Sequence, residues 1–401
     1  MRCRACFSEK LTPFVDLGYQ PPSNDYAHKG KFQYPLKVEV CGVCGLGQMS
    51  HDVPPRDIFN HDYAYFSAAS PSWVADRKAL AERMVNMFDL QSSSLVVDIG
   101  GNDGYYLEHL KPYSRVLNYE PSASVARVSE EKGIQTEQTF WGRDTPIRHL
   151  NADLINATNV LAHTPDLDGF IAAVVEGLAL QGVATLEFPL FSNLIKFNQL
   201  DTIYHEHYSY ISIPALQYVL ERNGLRLWRI EELATHGGSV RVFASHRGAR
   251  YREEDSVRHV QASEHWATAV DFEAKARKVK WDLLEFLGEA RQDGHIIGYG
   301  APAKATVLCN YAGLDTSVID FTIDDSPAKQ GKQIPGTNIP ILPFAELASC
   351  GGDLSYIFLF AWNLLEPIKA KLQKHYDQIS MAPRYRPRIV TAIPELTVTN
   401  L

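Results

Sequence analysis

The sequence predicts an α/β protein in three parts: a small cysteine-bearing lobe over residues 1–75, a central doubly wound, Rossmann-like domain over 76–250, and a second Rossmann-like α/β domain over 251–401. Three observations carry this. Two Cys-x-x-Cys pairs, Cys3/Cys6 and Cys41/Cys44, stand in the first segment. From Ser92 to about Ser245, short β-branched runs alternate with helical periodicity, the pattern of a sheet covered by helices. A strand, a glycine turn and a helix start occur in succession twice, around Gly100 and around Gly300. A chain of 401 residues is long enough for such an arrangement.

Bulk composition narrows the function classes. Hydrophobic residues make up 45% and charged residues 21%, an ordinary globular balance. A net charge of −8 with a pI near 6.0 argues against a nucleic-acid partner bound through a basic surface. No apolar run reaches transmembrane length, and Met-Arg-Cys-Arg-Ala-Cys lacks the apolar core of a secretory signal. The expectation is a cytoplasmic protein with no membrane partner.

In a reducing compartment the paired cysteines point to metal before disulfide. Each pair offers two thiolates from one tight turn, with Gly42 and Gly45 suited to the second. Cys3, Cys6, Cys41 and Cys44 together make a closed, tetrahedral zinc site. With no open position, such a zinc is structural. A small lobe must loop out between the pairs. Cys309 and Cys350 stand elsewhere and read as buried or inert thiols.

The tyrosine- and hydroxyl-rich stretch Asp62–Ser70 leads into a helix expected over 72–88. Strands follow at 95–99, 116–119, 153–157, 183–188 and 240–245, with helices at 105–111, 122–132, 168–180 and 213–223. Ligands of such sheets sit at the carboxyl ends of the strands. The first of those edges carries Asp98, Gly100, Gly101, Asn102 and Gly104. Glycines there allow positive φ and close backbone approach. About twenty residues on, Glu120 ends the second strand, placed to accept both hydroxyls of a ribose. Gly-x-x-x-Gly departs from the dinucleotide spacing. A nucleoside ligand without phosphates fits it, and S-adenosylmethionine is the commonest such cofactor. Asn159 and His163 belong to the next strand's edge. Phe140 stands where it flanks an adenine or fills the core.

The densest polar cluster is Tyr204-His-Glu206-His207-Tyr, after the strand ending at Pro189. It suits proton transfer or metal ligation, but His205 and His207 lack the spacing of His-Glu-x-x-His. Further on, His236-Gly-Gly-Ser-Val-Arg241 reads either as an anion-binding turn or as a hairpin. Residues 255–291 read as one long helix or a helix pair. Gly294–Lys304 repeats the strand–turn–helix pattern, with Pro302 near the first helical turn. Helix-start amides and Lys304 suit a phosphate. Strands near 318–323 and 355–360 complete the second Rossmann-like domain, with Asp324 at a strand end.

In combination these residues resemble the S-adenosylmethionine-dependent sugar C-methyltransferases of deoxysugar pathways. The resemblance rests on the two cysteine pairs, Asp98-Ile-Gly-Gly-Asn-Asp-Gly104, Tyr119-Glu-Pro-Ser122, Asn159-Val-Leu-Ala-His163, Tyr204-His-Glu-His207, His236-Gly-Gly, Gly298-Tyr-Gly-Ala-Pro-Ala-Lys304 and Phe360-Ala-Trp-Asn363. It covers nearly the whole chain. Gly101 stands where the family usually has cysteine, a change expected to spare backbone contacts. The resemblance implies a class I methyltransferase domain holding S-adenosylmethionine through Asp98, Gly100, Gly101, Asn102, Gly104, Glu120 and Asn159. It implies a C-terminal domain binding a nucleotide-linked keto-sugar, commonly a thymidine diphosphate sugar, with His236, Arg241, Tyr299, Gly300, Lys304 and Asp324 as candidate contacts. His207 matches the general base, with Glu206, Tyr204, His163 and Tyr65 around the sugar.

The chemistry is arguable on its own. A ketone at sugar carbon 4 acidifies the hydrogen on carbon 3 or carbon 5, and histidine is a base suited to neutral pH. Donors must stabilise the enolate oxygen. Methylation at carbon 3 is the expectation. Competing readings are O-methylation on the same scaffold, a non-catalytic nucleotide-sugar-binding protein and a nicotinamide oxidoreductase. The last is disfavoured because Gly298-x-Gly300 lacks the third glycine of the dinucleotide pattern.

Overall fold

A computed structural model describes residues 1–26, 30–58, 67–69, 71–147, 150–264 and 271–401. In chain order its elements are β1 (Leu11–Gln20), β2 (Tyr34–Cys41), β3 (Gly47–Met49), α1 (Pro55–Ile58), α2 (Pro71–Phe88), β4 (Leu95–Ile99), α3 (Leu107–Leu110), β5 (Arg115–Tyr119), α4 (Ala123–Glu131), β6 (Gln135–Glu137), β7 (Ala152–Thr158), α5 (Leu167–Gly177), β8 (Leu178–Pro189), α6 (Phe191–Lys196), β9 (Ser209–Tyr210) and α7 (Ile213–Arg222). They continue with β10 (Leu225–Leu233), β11 (Ser239–His246), α8 (Asp255–Ser263), α9 (Phe272–Asp293), β12 (His295–Tyr299), α10 (Ala303–Ala312), β13 (Thr322–Ile323), β14 (Ile341–Leu342), β15 (Leu354–Leu359), α11 (Leu365–Gln378), β16 (Arg388–Thr391) and β17 (Thr397–Thr399).

The chain divides into two compact units. The first comprises residues 1–12, 39–192 and 207–266, and the second residues 13–38, 193–206 and 267–401.

The first unit is built on a seven-stranded sheet in the order β10-β11-β8-β7-β4-β5-β6. Strands β4 to β8 run parallel, and β10 and β11 form an antiparallel hairpin on the edge of β8. This is the Rossmann-like order of class I methyltransferase domains. Alternation along the strands separates two cores. Val97, Ile99, Ile155, Ala157, Ala184 and Leu186 face α5 and α7, and Val96, Leu154 and Val183 face α2 and α3.

The expected elements of this sheet appear with shifted ends. Helix α5 stops at Gly177, and β8 starts at once, five residues ahead of the expected strand (183 − 178). Strand β10, not expected from the sequence, pairs with β11, so His236-Gly-Gly is a hairpin connection with Gly237 and Gly238 at φ 83° and 110°.

The second unit carries a six-stranded sheet in the order β14-β13-β12-β15-β16-β17, parallel except for β17. Ile297, Ile323, Ile357, Leu359 and Ile389 form its core with Leu372 of α11. It is the second Rossmann-like domain that the sequence predicts, although β13 keeps only Thr322 and Ile323 of the strand expected at 318–323. The stretch over 255–291 is a helix pair, α8 and α9. Among the described residues, no helix is long and apolar enough to cross a membrane.

Candidate active site and metal centre

The four N-terminal cysteines converge in the first unit. Their sulfurs all lie within 4.8 Å of one another, with Cys3–Cys44 and Cys6–Cys41 each at 3.5 Å. Four thiolates at about 2.3 Å from one zinc stand about 3.8 Å apart. The observed spread brackets that edge, so the set fits a tetrahedral zinc. Two matched turns build it. Phe7 N donates to Cys3 O and Gly45 N to Cys41 O, both at 2.9 Å, and the residue after each pair has positive φ, 62° at Phe7 and 72° at Gly45. Glycine makes that conformation easily at position 45, whereas Phe7 adopts it against its preference. Ser212 Oγ donates to Cys44 O at 2.9 Å, and Arg222 Nη1 to Ala5 O at 2.6 Å, tying the cluster to α7.

At the carboxyl end of β4 the chain turns through Gly100, Asn102 and Gly104 with φ of 62°, 52° and 75°. Glu120 anchors this turn. It accepts from Asn102 N at 3.2 Å and from Ser122 N at 2.8 Å, and burial raises its carboxyl above the usual range. The expected ribose acceptor is therefore also the brace of the glycine turn. A side chain on Gly101 has no room, because its Cβ would stand 2.4 Å from Asn118 Oδ1 and 2.8 Å from Asp98 Oδ2. Asn102 Oδ1 accepts from Ser67 N and Asp103 Oδ2 from Ala68 N, so the turn Ser67–Ala69 rests on these two side chains. Asp103 Oδ1 and Asn159 Oδ1 are buried acceptors with no partner among the described residues. S-adenosylmethionine presents an ammonium, two hydroxyls and an adenine amine, donors that suit these acceptors. Asn159 itself has φ 56° and donates its N–H to Glu187 O. Phe140 is 45% exposed, so it does not fill the core.

His163 and His207 meet in the same unit, with ring centroids 4.9 Å apart. His163 ends a single turn after β7, and His207 stands just ahead of β9, whose pairing with β3 fixes its approach. His207 also meets the Tyr210 ring, edge-on at 6.1 Å between centroids. Burial pushes the His163 imidazole down to about 4, so the ring is neutral at physiological pH. Tyr204 and Glu206 belong to the second unit. There Asn24 Nδ2 donates to Glu206 Oε1 at 2.9 Å, Oε2 has no partner among the described residues, and burial raises the carboxyl to about 7. Tyr65 lies outside the described residues. His236 stands in the single turn Thr235–Gly237.

Arg241, expected to meet a phosphate or carboxylate of the substrate, is 4% exposed and pairs through both terminal nitrogens inside the first unit. It donates to Glu187 at 2.6 Å and to Glu231 at 3.1 Å. Glu187 also accepts from Arg77 of α2 at 2.9 Å. The β10–β11 hairpin brings Arg241 beside both carboxylates, and that pairing leaves its charge committed to the fold. The segment His236–Arg241 is thus a hairpin connection, but its arginine is buried where that reading expects it at the surface.

In the second unit the remaining expected residues gather at the carboxyl ends of β12 and β13. Gly300 turns with φ 85°, and Asp324 accepts from Ala301 N at 2.6 Å, fixing the loop. Tyr299 donates its hydroxyl to Asp325 at 3.3 Å. Lys304 Nζ donates to Asn363 at 2.8 Å and lies 4.2 Å from the Trp362 ring centroid. The Trp362 indole in turn donates to Asp201 at 2.8 Å. Burial pushes the Lys304 ammonium down, with Asp201 opposing, and burial raises Asp201 to about 6. Asp201 was not legible as part of this cluster, since nothing local marks it.

Comparison with known proteins places these parts in a family context. Residues 3–59 match a family described as "Putative zinc binding domain", residues 73–230 one described as "Methyltransferase domain", and residues 234–381 one described as "C-methyltransferase C-terminal domain". The chain is 30% identical over 409 residues to the C-methyltransferase NovU of Streptomyces niveus, a match covering 97% of each. Among solved structures it is similar to a SAM-dependent methyltransferase from Aquifex aeolicus at 17% identity, over 43% of this chain and 97% of that one, with a TM-score of 0.34. It is also similar to magnesium protoporphyrin IX methyltransferase from Synechocystis PCC 6803, with bound SAM, at 16% identity over 43% and 78%, with a TM-score of 0.34.

Proposed function

The chain belongs to the S-adenosylmethionine-dependent C-methyltransferase family, with a zinc-binding N-terminal domain, and from this premise we propose that it methylates a nucleotide-linked 4-keto-6-deoxyhexose on the carbon beside the ketone. The reading assigns the reaction to carbon 3 and the nucleotide to thymidine diphosphate, in deoxysugar biosynthesis. The His163–His207 pair carries the proposal.

Carbon becomes a nucleophile only after a proton leaves it. His207 takes the proton from the carbon beside the carbonyl, and the negative charge moves to the ketone oxygen as an enolate. His163, held neutral by desolvation, donates a hydrogen bond to that oxygen without competing as a base. Tyr204 and Glu206, with Tyr65, are assigned to the sugar. S-adenosylmethionine, when bound, supplies an electrophilic methyl group. Asp98, the Gly100–Gly104 turn, Glu120 and Asn159 would hold it, and the exposed Phe140 would flank its adenine. The thiolates of Cys3, Cys6, Cys41 and Cys44 would fill every position of a tetrahedral zinc, which would then serve to fold the lobe.

Tyr299, Gly300, Lys304 and Asp324 are assigned to the nucleotide, with Lys304 and Trp362 as cation and stacking face. Arg241 is withdrawn from that set and assigned to the fold. A cytoplasmic location suits the reduced cysteine set.

The test is mass spectrometry of products after offering methyl donor with a panel of nucleotide-linked 4-keto sugars, some deuterated at carbon 3 or carbon 5. Loss of the carbon 3 deuterium with gain of one methyl is the expected result. Methylation with both deuteriums retained would mean O-methylation and end the proposal.

A further inference from the structure

A polar row crosses the sheet of the first unit where apolar side chains are the rule. Thr185 of β8, Asn156 of β7, Asp98 of β4, Asn118 of β5 and Thr136 of β6 are successive register partners. Two residues earlier on the same face stand Val183, Leu154, Val96 and Val116, also in register. Parallel strands covered on both sides favour such aliphatic residues. The change to polar side chains thus begins at the row beneath the glycine turn and continues into Thr158, Glu187 and Glu120 at the strand ends.

Hydrogen bonds join the row in two halves. Thr185 Oγ1 donates to Asn156 Oδ1 at 2.8 Å, and Asn156 Nδ2 to Asp98 Oδ1 at 2.7 Å. On the other side Asn118 Nδ2 donates to the carbonyl of Asn102 and to Ser129 Oγ, both at 3.1 Å, and Thr136 Oγ1 donates to Ser129 Oγ at 3.0 Å. The halves meet under Gly101, whose missing Cβ leaves the space that Asp98 Oδ2 and Asn118 Oδ1 approach. Asp98, Asn118, Asn156 and Thr185 are each at most 2% exposed. Burying this many polar groups costs free energy that aliphatic residues would avoid. Two of them bond directly to the turn or to its leading carboxylate.

Resting on the reading of Gly100–Gly104 as the donor-binding turn, we propose that Thr185, Asn156 and Asn118 are positioning residues for S-adenosylmethionine, fixing the Asp98 carboxylate and the Asn102 peptide from beneath. None of the three needs to touch the ligand. The Thr185 hydroxyl holds the oxygen end of the Asn156 carboxamide, while Asp98 Oδ1 and Thr158 Oγ1, at 3.2 Å, hold its amine end. Without Thr185 the carboxamide loses one of these three holds, and its bond to the carboxylate loosens.

Asp98 is faced by Arg77 of α2, by Tyr106 at the start of α3 and by Glu120 at the end of β5. Burial raises its carboxyl to about 7, with Asn156 and Arg77 opposing the rise. Loss of the Asn156 bond therefore moves it further up. The donor is cationic at its ammonium and sulfonium, so it binds better to ionised Asp98, and its affinity rises with pH through the titration of that group.

The experiment is calorimetric titration of the full-length, zinc-loaded protein with S-adenosylmethionine from pH 6 to 8.5. Thr185→Val keeps the side-chain shape and removes the donor. The expected result at pH 7 is a Kd weakened about 3- to 10-fold, the scale of one hydrogen bond, with the pH midpoint of binding moved upward. Thr185→Ser restores both. A purely structural role lowers Tm without moving that midpoint, and this outcome, or an unchanged Kd in Thr185→Val, overturns the proposal. If Thr185→Val fails to fold, Thr185→Ala carries the same comparison. Absence of binding by the wild-type protein would instead overturn the turn's donor-binding role, and the proposal with it.

Discussion

Removing the Glu187 carboxylate is the most informative single perturbation of the first unit. Glu187 is 1% exposed and accepts from Arg77 and Arg241, themselves 1% and 4% exposed. In Glu187→Ala, Arg241 keeps Glu231 at 3.1 Å, while Arg77 keeps the half-exposed Asp76 as its carboxylate and the Trp73 ring face at 4.1 Å. One guanidinium is then left buried with a screened partner. Breaking a buried pair this way costs about 3–5 kcal/mol. At about 2–4 °C per kcal/mol for a domain of this size, the unit's Tm falls by about 6–20 °C. Urea unfolding followed by tryptophan fluorescence gives the free energy, and calorimetry the Tm. The double variant Arg77→Met/Glu187→Leu should recover at least about 1 kcal/mol of the loss, since it leaves no orphaned charge on that side. A Glu187→Ala protein within about 1 kcal/mol of wild type would refute the reasoning. It would also reopen a ligand-binding role for Arg241.

Four further outcomes are expected. Cys41→Ser/Cys44→Ser removes half of the thiolates of the cluster, so the purified protein should show loss of zinc by elemental analysis and become protease-sensitive near the N-terminus. His207→Ala should fold and bind S-adenosylmethionine normally, while kcat falls by about 10²–10⁴, the share of a general base; a wild-type rate removes His207 from its role. Gly101→Ala puts a Cβ against Asn118 and Asp98 and should cost about 1–3 kcal/mol by overpacking, with part of that restored by Asn118→Ser, measured by urea unfolding. The fourth concerns pH. Because folding raises Asp98 to about 7, the folded state holds a proton that the unfolded chain has released, and this group's contribution to stability declines as pH rises from about 4 to 7. Asp98→Asn should flatten that part of the stability–pH curve relative to wild type.

Several features of this protein were set by short stretches of chain. The cysteine pairs announce a metal-binding turn because two thiolates three residues apart reach one ion. Gly100 and Gly104 announce a turn after β4 because their φ values are open to glycine. Alternating periodicity announces the Rossmann-like layers, since burial repeats every two residues in a strand and every three to four in a helix. These signals act within a few residues and survive any choice of neighbours.

Tertiary structure decided the rest. The polar row draws one residue from each of five strands, and all but Thr136 look like isolated polar residues in apolar runs until register aligns them. His163 and His207 meet only because the turn after β7 lies beside the start of β9. Arg241 looks like a surface residue until β10, the unexpected strand of the hairpin, pairs with β11 and the arginine is buried against Glu187 and Glu231. A buried charge must take whichever partner packing brings within reach, and that choice is made by strand pairing across tens of residues.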